Sequence, residues 1–98
     1  MQNATSIGNT AIGASAAQAN TTGEGIVAIG LEALKLNTTG TFHTALGYHA
    51  LQQNTLGNYN VGIGYHSLKA NTTGSRNLAI GVSSVSYTHL TLPTIYSV

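Results

Sequence analysis

Four histidines, five tyrosines and two glutamates are the residues of this 98-residue chain best suited to chemistry. His49 and His66 stand 17 positions apart, each directly after a tyrosine, Tyr48 and Tyr65. Two imidazoles brought together could hold Zn²⁺, since neutral imidazole is a common metal ligand. Two phenol rings side by side could offer a sugar or a protein an apolar surface. At the same interval, however, Ser15, Glu32 and Ser83 replace the histidine, and Leu31 and Val82 replace the tyrosine. A column that mixes His with Ser and Glu is what a solvated polar face produces, so no metal and no cofactor is expected. The tyrosines are read mainly as cover for an edge of the fold, with Tyr48, Tyr65, His49 and His66 as the candidate surface contacts. Phe42 and Tyr59 form a second such pair. His43 is read as an outward structural residue in a position held elsewhere by Asn or Ile.

Catalysis needs more than these residues supply. The chain has no aspartate and no cysteine, which removes most carboxylate chemistry, disulfides and thiolate metal sites. No serine keeps a histidine at a repeated spacing, so a nucleophile and base are not paired. No Gly-x-x-x-x-Gly-Lys string exists to cradle a phosphate. No enzymatic activity is expected. The charged residues are Glu24, Glu32, Lys35, Lys69 and Arg76, scattered without a patch. Nucleic-acid binding needs clustered Lys and Arg, and a membrane-surface segment needs a polybasic run. Neither partner is expected, and no apolar run approaches the roughly 18 residues that span a bilayer.

What positions the candidate residues is a repeat. Asn20-Thr21-Thr22-Gly23 returns as Asn37-Thr38-Thr39-Gly40, Asn54-Thr55-Leu56-Gly57 and Asn71-Thr72-Thr73-Gly74, each 17 residues on. A second motif keeps the same step: Ala28-Ile29-Gly30, Ala45-Leu46-Gly47, Gly62-Ile63-Gly64 and Ala79-Ile80-Gly81. Asn3 and Ala11-Ile12-Gly13 extend it backwards, giving copies at 3–19, 20–36, 37–53, 54–70 and 71–84. A strict period without insertions means that each copy is one coil stacked on the next. A repeat that starts at Asn3 with no capping element ahead is expected of a segment of a longer protein.

Within a copy, Tyr59-Asn60-Val61-Gly62-Ile63-Gly64 alternates and ends in glycine, the pattern of a half-buried strand. The pairs Thr10/Ile12, Val27/Ile29, Thr44/Leu46, Val61/Ile63 and Leu78/Ile80 are expected to point inward. Between them stands always Ala or Gly, so something packs closely on that face: another wall of the coil, or another chain. The following segment, such as Leu31-Glu32-Ala33-Leu34-Lys35-Leu36, is rich in helix formers and reads as one helical turn or a short second strand, with Leu34, Leu51 and Leu68 inward. The asparagines should stack and hydrogen-bond along the axis at a corner, where the glycine three residues later supplies positive φ. The sequons at Asn3, Asn20, Asn37 and Asn71 are explained by this motif. The Thr pairs could suggest ice binding, but Leu56 interrupts them and adjacent residues at a corner diverge. A six-residue period, that of hexapeptide acyltransferases, does not divide 17.

The unit Asn-Thr-Thr-Gly followed by the strand motif, best seen in Asn60-Val61-Gly62-Ile63-Gly64 and Asn77-Leu78-Ala79-Ile80-Gly81, resembles the longer repeats of trimeric autotransporter adhesin heads. It is also similar to repeats of phage tail fibres and large bacterial surface proteins. The resemblance covers residues 3–84 and implies a left-handed parallel β-roll, with three chains side by side. Such a fibre would stand on a cell surface or virion and attach it to a host or surface receptor. The best-known heads have 14-residue coils, from which the 17-residue step departs. A passive spacer is one alternative; a monomeric ligand- or ice-binding solenoid is another. Residues 85–98 break the pattern, and Val85 to Thr94 resembles the translation of a transposon-type sequencing adapter, so this stretch is expected to be a non-native tail.

Overall fold

The computed structural model describes residues 8–83 and the backbone of residues 95–97. Five three-residue strands, β1 (Thr10–Ile12), β2 (Val27–Ile29), β3 (Thr44–Leu46), β4 (Val61–Ile63) and β5 (Leu78–Ile80), lie side by side in chain order. Each pairs in parallel with the next at the repeat step, as in Ala28↔Ala45 and Ala45↔Gly62. One strand per coil, in unbroken register, makes the chain a parallel β-solenoid, and no helix occurs among the described residues. The copy boundary at Asn3 and the tail reading for 85–94 lie outside the described residues. The described backbone of β6 (Ile95–Ser97) pairs with β5 as Leu78↔Ile95, again 17 residues on.

The strands face the opposite way from the expectation. The small middle residues Ala28, Ala45 and Ala79 are fully buried, whereas Ile12 is 58% exposed and Leu46 and Ile80 are exposed beside it. Ile12, Ile29, Leu46, Ile63 and Ile80 do align in one column, but on the outside. Alternation fixes which residues share a face, not which face is interior. The interior is narrow at this level: a Cβ added to Gly62 would meet Ser67 O at 3.2 Å and Leu51 Cγ at 3.5 Å. The coil's own far wall therefore sets the size limit. Room for larger groups exists two residues earlier, where Ile26, His43, Asn60 and Asn77 are buried. His43 is thus inward, contrary to its expected outward place.

The second segment is neither helix nor strand. It is a run of turns in which peptide groups bond alternately inside the coil and to a neighbouring coil. Ala33 N–H donates to Gly30 O and Lys35 N–H to Glu32 O, both at 3.2 Å, while Leu34 N–H donates to Ala50 O at 3.0 Å. Left-handed φ values of 58° at Glu32 and 53° at Leu34 make this alternation possible. Such values cost a non-glycine residue about 1–2 kcal/mol. A six-residue helix would leave most of its N–H groups unbonded; the turns satisfy them in both directions. The leucines do point inward as expected: Leu34, Leu51 and Leu68 are fully buried.

The corner asparagines stack as expected, by a different backbone route. Asn37 Nδ2 donates to Asn20 Oδ1 at 2.9 Å, Asn54 to Asn37 at 2.9 Å, and Asn71 to Asn54 at 3.1 Å. Each amide also donates to the carbonyl of the glycine three residues on, as Asn37 does to Gly40 at 3.0 Å. All four asparagines are fully buried, so a continuous polar ladder runs through this core. Positive φ falls elsewhere: Gly23, Gly40, Gly57 and Gly74 lack it, and Gly13, Gly30, Gly47, Gly64 and Gly81, which close the strands, have it. Gly57 is instead required by proximity, because a Cβ there would collide with Gly74 O of the next coil.

Candidate functional site

The structure brings the four candidate contact residues into one block. Tyr48 and Tyr65 stack with centroids 5.2 Å apart and planes 10° apart. His49 and His66 stack beside them at 5.1 Å and 5°. Each histidine also lies against the tyrosine of its own coil, at 3.9 Å for His49 and 3.8 Å for His66. The turn geometry explains this: left-handed φ at His49 and His66 (60° and 59°) folds each imidazole back over the preceding ring. The rings therefore use their faces on one another. Stacking along the solenoid covers one face of each tyrosine that a sugar would otherwise use.

Charge gathers at one end of the block. Glu32, one coil before His49 in the same column, lies 3.1 Å from His49 Nε2 and accepts from Lys35 Nζ at 3.3 Å. Gln52 adds a bond to the same carboxylate. Desolvation works to raise Glu32, but Lys35, His49 and Gln52 together hold it below the ordinary carboxylate range. Desolvation lowers His49, with Lys69 and Lys35 adding to it and Glu32 opposing. His66 is lowered by desolvation, Lys69 and His49. Both imidazoles are thereby shifted towards the neutral form, which limits like-charge repulsion within the stack. Parallel rings send their nitrogen lone pairs in parallel directions, so the stack does not converge on a metal. Among the described residues no group of three or more His, Cys, Asp or Glu could hold a metal ion. Nor does a nucleophile stand ready beside His66, because Ser67 Oγ is bonded to the carbonyls of Ile63 and Gly81 at 2.9 and 2.8 Å.

The second aromatic pair forms a separate ladder. Phe42 and Tyr59 stack at 5.2 Å, and the Arg76 guanidinium lies 5.2 Å over the Tyr59 ring. At the other end Phe42 lies on the α-carbon of Gly25, where a Cβ would come within 2.7 Å of its ring. Gly25, Phe42, Tyr59 and Arg76 share one repeat position and one left-handed backbone, with φ of 63°, 59°, 60° and 57°. Sequence reading found the two rings and missed Arg76 and Gly25, although their place in the period was available. It also missed the role of the column Asn9, His43, Asn60 and Asn77. Each of Asn9, His43 and Asn60 accepts a backbone N–H of the next coil, and only residues with an acceptor close to the main chain can do so.

The outward strand face is the third surface. Its two columns, Thr10, Val27, Thr44, Val61, Leu78 and Ile12, Ile29, Leu46, Ile63, Ile80, contain no charge. Among the described residues no helix is long and apolar enough to cross a membrane. Fold and surfaces together define a β-solenoid repeat protein with stacked side-chain ladders. Comparison with family models, with curated proteins and with solved structures gave no match.

Proposed function

We propose that this chain is a structural and adhesive repeat segment of a fibrous protein displayed on a cell or virion surface. In this reading copies of the chain, three as the resemblance implies, pack side by side through the outward strand face. The observation that carries it is the uncharged column Ile12, Ile29, Leu46, Ile63 and Ile80, left outside on a regular scaffold. Contiguous exposed apolar surface on a soluble scaffold marks an association site. A repeating column also presents the same shape at each coil, which suits packing against a parallel copy. Adhesion would come from many weak contacts in parallel along the fibre, with Tyr48, Tyr65, His49 and His66 facing the receptor. No catalytic role is proposed. The passive-spacer reading draws on the mutual covering of the Tyr48 and Tyr65 ring faces, which leaves their edges and hydroxyls for contact.

Sedimentation of the purified chain over a range of concentrations tests the assembly. A species of three chains that dissociates when Leu46 and Ile63 are both replaced by glutamate supports the reading. A folded chain that stays monomeric at all concentrations opposes it. Binding of the assembled chain to host-cell surfaces, compared with a Tyr48→Ala/Tyr65→Ala variant, separates adhesion from a spacer role.

A further inference from the structure

We propose that Tyr48 and Tyr65 are a site of oxidative cross-linking. They would be joined within one chain as a dityrosine by a one-electron oxidant of the peroxidase class acting with hydrogen peroxide. The stack places one phenol ring over the other at 5.2 Å with planes 10° apart. The parallel coils, about 4.8 Å apart, hold that arrangement through the backbone. Both residues reach solvent, at 42% and 47% exposure, so a diffusing or enzyme-bound oxidant can take an electron from either. His49 and His66 stack on the rings of Tyr48 and Tyr65 at 3.9 and 3.8 Å and restrict their rotation. The neighbours in the column, Leu31 and Val82, have no phenol, so two radicals formed here have only each other as partners along it.

The chemistry balances. Each tyrosine loses one electron and one proton, giving two phenoxyl radicals, and hydrogen peroxide takes up both to become two waters. The radicals couple through ring carbons ortho to oxygen, forming one C–C bond, and the two ring protons shift to restore both phenols. The product is two hydrogens lighter than the chain. Holding the partners side by side replaces an encounter between two dilute radicals with a unimolecular step. The result is a covalent staple between the third and fourth coils, a modification suited to an exposed, mechanically loaded scaffold. Tyr59 serves as an internal control. It is 49% exposed and stacked at the same 5.2 Å, but on Phe42, which cannot couple with it in this way.

The test treats a mixture of unlabelled and nitrogen-15-labelled full chain with a haem peroxidase and hydrogen peroxide, folded and in urea. Peptides are mapped after thermolysin digestion. Expected is a Tyr48–Tyr65 link found in all-light or all-heavy pairs, formed in the folded chain and lost in urea. A raised melting temperature should accompany it. Tyr48→Phe and Tyr65→Phe keep a ring in the stack, as Phe42 does, and should abolish the link with circular dichroism unchanged; Tyr59→Phe should retain it. The proposal is overturned by links that are only light–heavy, by links that join other tyrosines instead, or by equal yield in urea. Absence of the Tyr48–Tyr65 link while Tyr59 is oxidised also overturns it. None of these readings depends on the oligomeric state, so the assembly proposal can fail without affecting them.

Discussion

The Nδ1 of His43 accepts the backbone N–H of Asn60 at 3.3 Å, so a side chain of one coil satisfies a peptide group of the next. Protonation would put a second N–H against that donor inside the core. Burial, opposed in part by the neighbouring backbone groups of Gly57 and Asn60, lowers the His43 pKa to about 4.

Stability should therefore depend on pH through His43. The unfolded imidazole binds a proton below about pH 6.5 and the folded one only near 4, so the unfolded state holds more protons between them. This contribution is complete above pH 6.5 and is lost as pH falls towards 4. The total is about 3 kcal/mol, from roughly 2.5 pKa units at 1.36 kcal/mol each. Urea unfolding at pH 7 and pH 4.5 measures most of it. His43→Asn, which copies the acceptor Asn60 offers to Asn77, should remove most of the slope.

Asn54 is the most heavily used link of the polar ladder. It donates to Asn37 Oδ1 and Gly57 O and accepts from Asn71 and Asn60. Asn54→Ala leaves several buried polar groups without partners, at about 1–3 kcal/mol each. Equilibrium denaturation should show a loss of roughly 3 kcal/mol or more. Thr39→Ala, one exposed residue of the same corner motif, should stay within about 0.5 kcal/mol.

Gly57→Ala and Gly47→Ala should be comparably damaging for different reasons. Gly47 has φ of 132° and its Cβ would lie 2.8 Å from Gly64 O. Gly57 has no such backbone constraint, yet its Cβ would strike Gly74 O. Forcing coils apart at either point costs about 1–3 kcal/mol or more. Gly8→Ala, with nothing within 4 Å of the new Cβ, bears only the φ penalty and should be the mildest by thermal melting.

Ser15 holds left-handed φ of 61° without the aromatic stacking that His49 and His66 gain at the same place. Relief of about 1–2 kcal/mol of strain outweighs the roughly 0.5–1 kcal/mol entropy cost of glycine. Ser15→Gly should raise stability by about 0.5–1 kcal/mol in urea titrations.

On the proposed packing through the outer strand face, Ile29→Asp should leave the circular dichroism of the coil stack unchanged and weaken self-association. The size measured by light scattering at equal concentration reports this. The effect should persist in high salt, since the affected surface carries no charge of its own.

The period was legible in the residues because stacking makes every coil solve the same problem at the same place. Equal spacing of Asn20, Asn37, Asn54 and Asn71 predicts a ladder, and the amides form one. The pairing of Tyr48 with Tyr65 and of His49 with His66 follows from the same arithmetic. Composition misled in the second segment: helix formers such as Leu34 and Lys35 adopt turns there because neighbouring coils offer their peptide groups better partners than a six-residue helix would.

Sequence by itself determined the 17-residue period, the parallel stacking and the columns into which side chains fall. It could not determine which side of each strand is interior, because alternation is symmetric between the two faces. Only the tertiary structure decided that. The far wall of the coil, through Leu51 and Ser67, comes so close that Ala and Gly alone fit inside, and Ile63 and its counterparts are turned outward. The same wall places His43 in the core, where its protonation state is governed by burial rather than by any motif around it.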